Sequence, residues 1–540
     1  MAEASTMVTA LQKVARMCPA SPAIYYFDTV WSYDDLTEHV EQLAGALQRC
    51  GVSVGDRVAV MLQNMPASVV AHFAVWALGA SVVPINVMLQ PREMVEPLRD
   101  SGASALILLA SLMDRVDKMP HLPDLRNVVV VSDRQDFTGD PPPWLPDPAT
   151  VIPSLPYPTH DYSDLLIGPK LARTEWYHGH VNDLALLTYT SGTTGSPKGA
   201  MNLHGHVLHT VDIYRHLAHL PTDAVNIAFA PLFHITGVVA GLATAVGLAN
   251  PLVLLYRFDP AIAALAIERR RATFTVGAIT TYLAMLGLPN LAQYDLSSLT
   301  HAYSGGAPIA RATLDHFEDQ TGIYIHNVYG LTESTNGIIL VPWGERAPLD
   351  RDSGATSVGI AGEGIDVSVR SLDDALEVLA PGELGELALR GDSVITAYWR
   401  RPRANRESFR DGWLLTGDVA RMTHDGWIYI IDRKKDVIVS AGNKVWPRDV
   451  EDVLYNHPGV AEAVVVGLPD AYRGEVVTAF VVKATENEEL TELELVTFLR
   501  EHIAAYKVPR AIHWVTNIPK TATGKFMRRA FRPPADVDMP

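Results

Sequence analysis

Leu184-Ala-Leu-Leu-Thr-Tyr-Thr-Ser-Gly-Thr-Thr-Gly-Ser-Pro-Lys-Gly199 is an apolar run that passes directly into hydroxyl-bearing residues and glycines. Its first four residues predict a buried strand. Glycines at 192, 195 and 199 let the backbone turn tightly and aim N–H groups at one point, which is how a loop receives an oxyanion. Thr190, Ser191, Thr193 and Thr194 add hydroxyl donors, and Lys198 adds a cation. The composition fits a phosphate cradle and equally a polar surface turn. It fails the G-x-x-x-x-G-K-[ST] spacing of a Walker A loop.

On the N-terminal side of this loop, short apolar runs at 57–62, 80–84, 105–109 and 128–131 read as buried strands. Amphipathic stretches at 33–51 and 67–78 read as helices between them. That rhythm predicts βαβ units and a largely parallel sheet. The proline-rich stretch 141–158 reads as a surface loop rather than an interdomain linker. Residues 235–256 carry no charge and approach the length of a membrane span. Asn250-Pro251 breaks that run and glycines 237, 241 and 247 interrupt it, so a buried helix, a turn and a strand at 252–256 are predicted instead.

Toward the C-terminus, 412–422 and 426–431 read as a hairpin closed at Asp425-Gly426. The texture changes at Asp432-Arg-Lys-Lys-Asp436. Beyond it, helices at 449–457 and 491–505 and strands at 461–466 and 476–482 predict a small α+β unit. This change places a domain boundary at 432–436, between units of 1–431 and 437–540.

Bulk composition narrows the function classes. A chain of 540 residues, 48% apolar and 19% charged, can bury large cores. Its net charge of −17 argues against holding nucleic acid through an overall field, while a local phosphate site needs only local donors. Cys18 and Cys50 form no CxxC pair and no disulfide framework, which fits a reducing cytoplasm. Residues 1–17 lack the apolar core of a signal peptide. A cytoplasmic protein without an integral membrane segment is expected. A peripheral membrane contact and a homodimer stay open.

The 184–199 segment resembles the signature loop of the adenylate-forming superfamily, which comprises acyl-CoA synthetases, luciferases and peptide-synthetase adenylation domains. The likeness continues in order over roughly residues 32–529. The resemblance implies an α/β fold: a large N-terminal domain of parallel-rich sheets with helices and a β-barrel-like subdomain, then a small mobile C-terminal α+β domain. Tyr303-Ser-Gly-Gly-Ala-Pro308 resembles the family's adenine wall, where Gly305 and Gly306, with Ala307 and Pro308, let a flat base or the acyl chain approach; a strand-end turn is the bland alternative. Asn327-Val-Tyr-Gly-Leu-Thr-Glu-Ser334 resembles the next motif. By that likeness Asn327 and Gly330 lie at the nucleotide, Tyr329 stacks on adenine, Thr332 contacts phosphate and Glu333 holds Mg²⁺. A carboxylate is a hard oxygen ligand suited to that ion.

In Trp413-Leu-Leu-Thr-Gly-Asp418 the likeness gives Asp418 both ribose hydroxyls, which its two acceptor oxygens can serve. Ile430 and Arg433 are carried over to the nucleotide site, and Lys435 to the hinge. Lys525, in Lys520-Thr-Ala-Thr-Gly-Lys525, is implied as the catalytic lysine between the substrate carboxylate and the α-phosphate. Ser440-Ala-Gly442 is implied as the pantetheine path; Ala441 stands where many relatives carry glycine, which bears on the acceptor. His234, in Pro231-Leu-Phe-His234, is implied as catalytic at the acyl pocket; a packed core histidine is its alternative. His204, His206, His209, His216 and His219 crowd one stretch, and the last three could share a helical face and conceivably a metal. The family uses no metal there.

The resemblance thus implies an AMP-forming acid–CoA ligase with ATP, Mg²⁺ and coenzyme A, acting on a small-molecule carboxylic acid and binding no nucleic acid. Lys444-Val-Trp-Pro-Arg-Asp-Val-Glu451 and Phe274-Thr-Val-Gly-Ala-Ile279 resemble bacterial fatty-acyl-CoA ligases, which implies a medium- or long-chain fatty acid, and the sparse charge at 235–240 and 275–282 favours an apolar acid. An aromatic acid, a non-CoA acceptor such as an amine or a carrier-protein thiol, a luciferase-like oxidase, and a non-catalytic acyl- or nucleotide-binding protein are the alternatives. Lys198, Glu333, Asp418, Arg433 and Lys525 standing together argue against a pure binder, which has no use for a reactive lysine.

Overall fold

The structure is a computed structural model that describes residues 5–147, 155–190, 197–307, 309, 311–440, 443–470, 473–484, 490–520 and 526–531, without the side chains of residues 444 and 529. The Ser191, Gly192, Thr193, Thr194, Gly195, Pro308, Ala441, Gly442 and Lys525 assignments lie outside the described residues.

The predicted strands and helices form. Arg57–Met61, Ser81–Pro84, Ala105–Leu109 and Asn127–Val131 join Leu184–Thr190 in a parallel array, bounded by Thr159–Asp161 and by the antiparallel edge strand Lys198–Leu203. All five residues of Ala105–Leu109 are buried. A strand covered on both faces needs a continuous apolar run, not an alternating one. Ser32 caps the helix Tyr33–Arg49 reciprocally with Asp35: Asp35 N donates to Ser32 Oγ at 3.1 Å, and Ser32 N to Asp35 Oδ2 at 2.8 Å. Every residue of the helix Pro66–Ala77 is buried, and Trp76 Nε1 donates to Ala185 O at 2.8 Å, tying that helix to the strand Leu184–Thr190.

A second sheet of nine strands has six parallel members at its centre: Pro22–Tyr26, Leu252–Leu254, Asn226–Ile227, Phe274–Gly277, His301–Gly305 and Ile325–Leu331. Thr29–Ser32 closes one edge; Asn336–Leu340 and Ile360–Ala361 close the other. The uncharged stretch 235–256 folds as a π-helical segment Gly237–Ala243, a short helix Thr244–Gly247, a left-handed turn at Ala249 and the strand Leu252–Leu254. Among the described residues no helix is long and apolar enough to cross a membrane.

The third sheet is antiparallel: Ile365–Arg370, Leu384–Gly391, Trp413–Met422 and Phe409–Arg410, with Ile428–Arg433 paired to Trp413–Met422. It is the half-barrel of the large domain. The C-terminal unit has its own sheet (Ile438–Ser440, Asn443–Val445, Val460–Asp470, Gly474–Lys483 and a parallel Ala511–Trp514) covered by the helices Pro447–Tyr455 and Glu492–His502. A separate apolar core, with Val450, Leu454, Val465, Ala479, Leu495 and Leu499, holds it together.

Candidate active site

The antiparallel pair Leu184–Thr190 and Lys198–Leu203 places Thr190 opposite Lys198. The Lys198 ammonium sits 5.2 Å from the ring centroid of Tyr398, and the Tyr398 hydroxyl donates to Glu333 Oε1 at 2.9 Å. Burial, then the Glu333 charge, pushes the Tyr398 hydroxyl well above the ordinary tyrosine range, so it stays a proton donor. Among the described residues Lys198 and Glu333 form no ion pair.

Glu333 stands on the short turn Thr332–Ser334, which follows the strand Ile325–Leu331. Four contacts fix that turn. Leu331 N donates to Ser334 Oγ at 2.8 Å, Asn202 Nδ2 to Thr332 O at 2.9 Å and to Thr335 Oγ1 at 3.0 Å, and Ile395 N to Glu333 O at 2.8 Å. Thr335 and Asn336 take φ of 53° and 89°, a strained conformation for residues with side chains. A Cβ on Gly330 would stand 1.8 Å from Asn336 O, so only glycine fits under this turn.

The same strand carries Tyr329 and Asn327. Tyr329 Oη donates to Asp418 Oδ2 at 2.6 Å, and Arg433 Nε meets Asp418 Oδ1 at 2.6 Å. Asp418 and Arg433 face each other across the antiparallel pair Trp413–Met422 and Ile428–Arg433, which explains the contact. Asp418 raises the Arg433 pKa despite partial burial, and burial followed by Asp418 raises Tyr329. Both Asp418 oxygens are thus engaged by the protein. A carboxylate has roughly four acceptor positions, so capacity for hydroxyl donors remains. Asn327 donates through Nδ2 to Ser357 O at 2.8 Å, while its buried Oδ1 meets no donor among the described residues. Ser304 and Gly305 pair with Asn327 and Val328, and a Cβ on Gly305 would stand 2.2 Å from Val328 O. Gly305, Gly306, Ala307, Asn327, Tyr329 and Gly330 therefore converge at the carboxyl ends of two parallel strands, the crevice where α/β sheets receive ligands.

Other assignments lie apart. Ile430 is buried in the core with Ile428 and Ala420, and its carbonyl accepts from Arg448 Nη1 at 2.5 Å. His234 is half-buried at the entry to the π-helical segment; Thr236 N donates to its Nδ1 at 3.3 Å, and its own N–H donates to Pro231 O at 3.0 Å. Lys435 is exposed and lines a cleft with Thr416, Gly417, Arg433 and Lys434. Ser440 is buried and faces Asn443 and Gly474. The histidine stretch corrects the expectation of a shared face. His204 and His206 are buried, His209 bonds Ser393 Oγ at 2.7 Å, and His219 lies beyond the helix His204–Leu217 with a left-handed φ of 46°. Among the described residues no group of three or more His, Cys, Asp or Glu side chains could hold a metal.

Three residues escaped the sequence. Tyr398 bridges Lys198 and Glu333. Asn202 holds the Thr332 turn. Asn64 fixes the approach to His234 by donating to Ala228 O and Ala230 O at 3.2 and 3.0 Å and accepting from Leu232 N at 2.7 Å. The first could have been sought in the aromatic pair Tyr398-Trp399 followed by Arg400-Arg401, an unusual run after a strand. The two asparagines give no local signal.

Residues 11–399 match the family model described as AMP-binding enzyme, and residues 449–525 match that of the AMP-binding enzyme C-terminal domain. The chain is 33% identical to a long-chain-fatty-acid–CoA ligase of Bacillus subtilis, over 97% of this chain and 93% of that protein. It is 34% identical to a feruloyl-CoA synthase of an Amycolatopsis species, over 96% of each. Among solved structures, an anthranilate CoA ligase in complex with anthranoyl-AMP superposes with a TM-score of 0.86 at 27% identity, covering 98% of this chain and 97% of that one.

Proposed function

The chain belongs to the AMP-binding enzyme family and is an AMP-forming acyl-CoA ligase that uses ATP, Mg²⁺ and coenzyme A, and on that footing we propose an apolar carboxylic acid, a medium- or long-chain fatty acid, as its substrate. The observation that carries the site assignment is the pair of contact lines Lys198–Tyr398–Glu333 and Tyr329–Asp418–Arg433, joined through the strand Ile325–Leu331 and the turn that follows it. The acid assignment rests on the segments 235–240 and 275–282, which hold no charged side chain, and on the packing of Gly237–Ala243 against Phe274–Gly277.

In the first half-reaction the substrate carboxylate attacks the α-phosphorus of ATP and pyrophosphate leaves. The hydroxyls and amides of 190–195 and the Lys198 ammonium receive the phosphates. Asp418 and Arg433 orient the ribose, and the buried Asn327 Oδ1 can accept from an amino donor of the base. Glu333 would hold Mg²⁺: a carboxylate oriented by one hydroxyl donor suits an ion that takes most of its ligands from substrate phosphates and water. Bound there, the ion offsets phosphate charge. Lys525 stabilises the charge that develops as the carboxylate attacks. In the second half-reaction the CoA thiol attacks the acyl-AMP carbonyl, the thioester forms and AMP leaves. We assign 1–431 as the adenylation domain and 432–436 as the hinge about which 437–540 turns between the half-reactions, bringing 440–442 to the pantetheine.

An aromatic acid is the second reading, favoured by the feruloyl-CoA synthase likeness and by the bound anthranoyl-AMP of the structural relative. Pyrophosphate release over a panel of free acids, with and without CoA, separates the two. Thioester formation with fatty acids supports the first reading; turnover confined to cinnamic or benzoic acids replaces it. Acyl-AMP without a thioester moves the acceptor away from CoA.

A further inference from the structure

We infer that Tyr398 is a positioning residue of the adenylation site, one that orients the Glu333 carboxylate for its cation and at the same time holds Lys198 away from that carboxylate. The inference rests on the assignment of Glu333 and Lys198 made above.

A glutamate carboxylate and a lysine ammonium on adjoining segments tend to pair with each other, which would leave less charge for a phosphate and its counter-ion. Here an aromatic ring stands between them. Its face takes the ammonium at 5.2 Å, a contact that holds a cation without neutralising it. Its hydroxyl takes Glu333 Oε1 at 2.9 Å, so the carboxylate plane is set and the second oxygen is left for a hard cation.

The ring is itself fixed from several sides. Tyr398 is 7% exposed, packed with Ala200, Ile395 and Ala404. Asn405 clamps its backbone: Tyr398 N donates to Asn405 Oδ1 at 2.7 Å, and Asn405 Nδ2 to Tyr398 O at 3.2 Å. Tyr398 bridges Ala200, and Trp399 N donates to Gly199 O at 2.8 Å, so the segment is stitched to the outgoing arm of the phosphate-loop hairpin. The incoming arm is held through Asp100, whose carboxylate receives the Tyr189 hydroxyl at 2.7 Å and Arg401 Nη1 at 2.8 Å. At its other end the segment grips Glu333 O through Ile395 N. Residues 395–401 therefore span both arms of the hairpin and the metal-side carboxylate, and Tyr398 is where the two meet.

Tyr398→Phe keeps the ring and removes only the hydroxyl. A hydrogen bond to a charged group supports an expected loss of roughly tenfold in Mn²⁺ affinity for the protein–ATP-analogue complex, read by electron paramagnetic resonance with α,β-methylene-ATP. Calorimetric AMP binding without metal should stay within about twofold. Tyr398→Leu, which also removes the ring, should lose AMP-analogue and triphosphate affinity unequally, the triphosphate more, because Lys198 becomes free to pair with Glu333. In a Glu333→Gln background the Phe change should add less than twofold to the loss of Mn²⁺ binding. Unchanged Mn²⁺ binding in Tyr398→Phe overturns the inference; so does an equal fall in Mn²⁺ and AMP binding, or full additivity with Glu333→Gln. These binding measurements need no acid substrate. A failure of the ligase assignment would therefore show as absent pyrophosphate release in the parent protein, independently of the Mn²⁺ result.

Discussion

The large body and the junction to the C-terminal unit are held by different forces. In the body, Ala105–Leu109, Asn127–Val131 and Pro66–Ala77 interlock through buried apolar side chains. At the junction, charged groups are buried instead. The Asp432 carboxylate accepts from Arg433 N at 2.7 Å and Arg448 N at 2.9 Å, Ile430 O accepts from Arg448 Nη1 at 2.5 Å, and Arg528 Nη1 lies 3.9 Å from Asp436 Oδ2. Trp446 packs there against Val419, Tyr429 and Ile431. Apolar packing is non-directional and its loss is costly; a buried ion pair nearly breaks even against its own desolvation. A molecule that must part somewhere parts at lowest cost where its contacts are polar. This supports the hinge assigned to 432–436 and explains why the small unit needs a core of its own.

The sharpest separation of the two regions comes from Lys525→Ala. It should lower acyl-AMP formation by about 10²–10³-fold while sparing thioesterification of supplied acyl-AMP. Pyrophosphate exchange at the parent rate would remove Lys525 from the first half-reaction. On the body side, Leu108→Ala should cost about 2–5 kcal/mol of unfolding free energy by leaving a cavity, with the ratio of the two half-reactions unchanged. A shifted ratio would mean that the body, too, takes part in the alternation. Lys435→Pro, which stiffens the hinge, should reduce thioester formation roughly tenfold more than adenylation; equal losses would count against 432–436 as the pivot.

The smallest effect concerns protons. Burial pushes the Asp432 carboxyl up to about 7. Its folded-state pKa lies above the unfolded one, so the folded state binds the extra proton between about pH 4 and 7. The contribution of Asp432 to stability is therefore fully present at low pH and is lost as pH rises through 7. The melting temperature of Asp432→Asn should thus be flatter across that window than the parent's. Parallel profiles would mean that the carboxyl is not protonated in the folded state.

Much of the architecture was legible because buried parallel strands must be continuous apolar runs, as at 105–109 and 128–131. Asp418, Arg433, Tyr329 and Glu333 were named by the resemblance of their segments, and the structure brings the first three of them into contact. Tyr398 left no more than an aromatic–arginine run as its signal, because its role depends on Glu333, 65 residues away, and on a hairpin nearly two hundred residues earlier. His219 was misplaced because a helical projection assumes that the helix continues, and a left-handed residue ends that assumption. Ile430 was carried to the nucleotide by likeness of position, yet its side chain packs inward with Ile428.

The wide turn at Gly237–Ala243 has a consequence for chain length. A π turn closes over one residue more than an α turn, so this stretch beside the proposed acid pocket holds a residue that an ordinary helix would not need. A one-residue deletion elsewhere in a packed helix rotates all that follows by about 100°. Here the backbone can absorb it as a change of helix type. The proposed acid site could thus be recut by altering the number of residues in this buried stretch as well as their size.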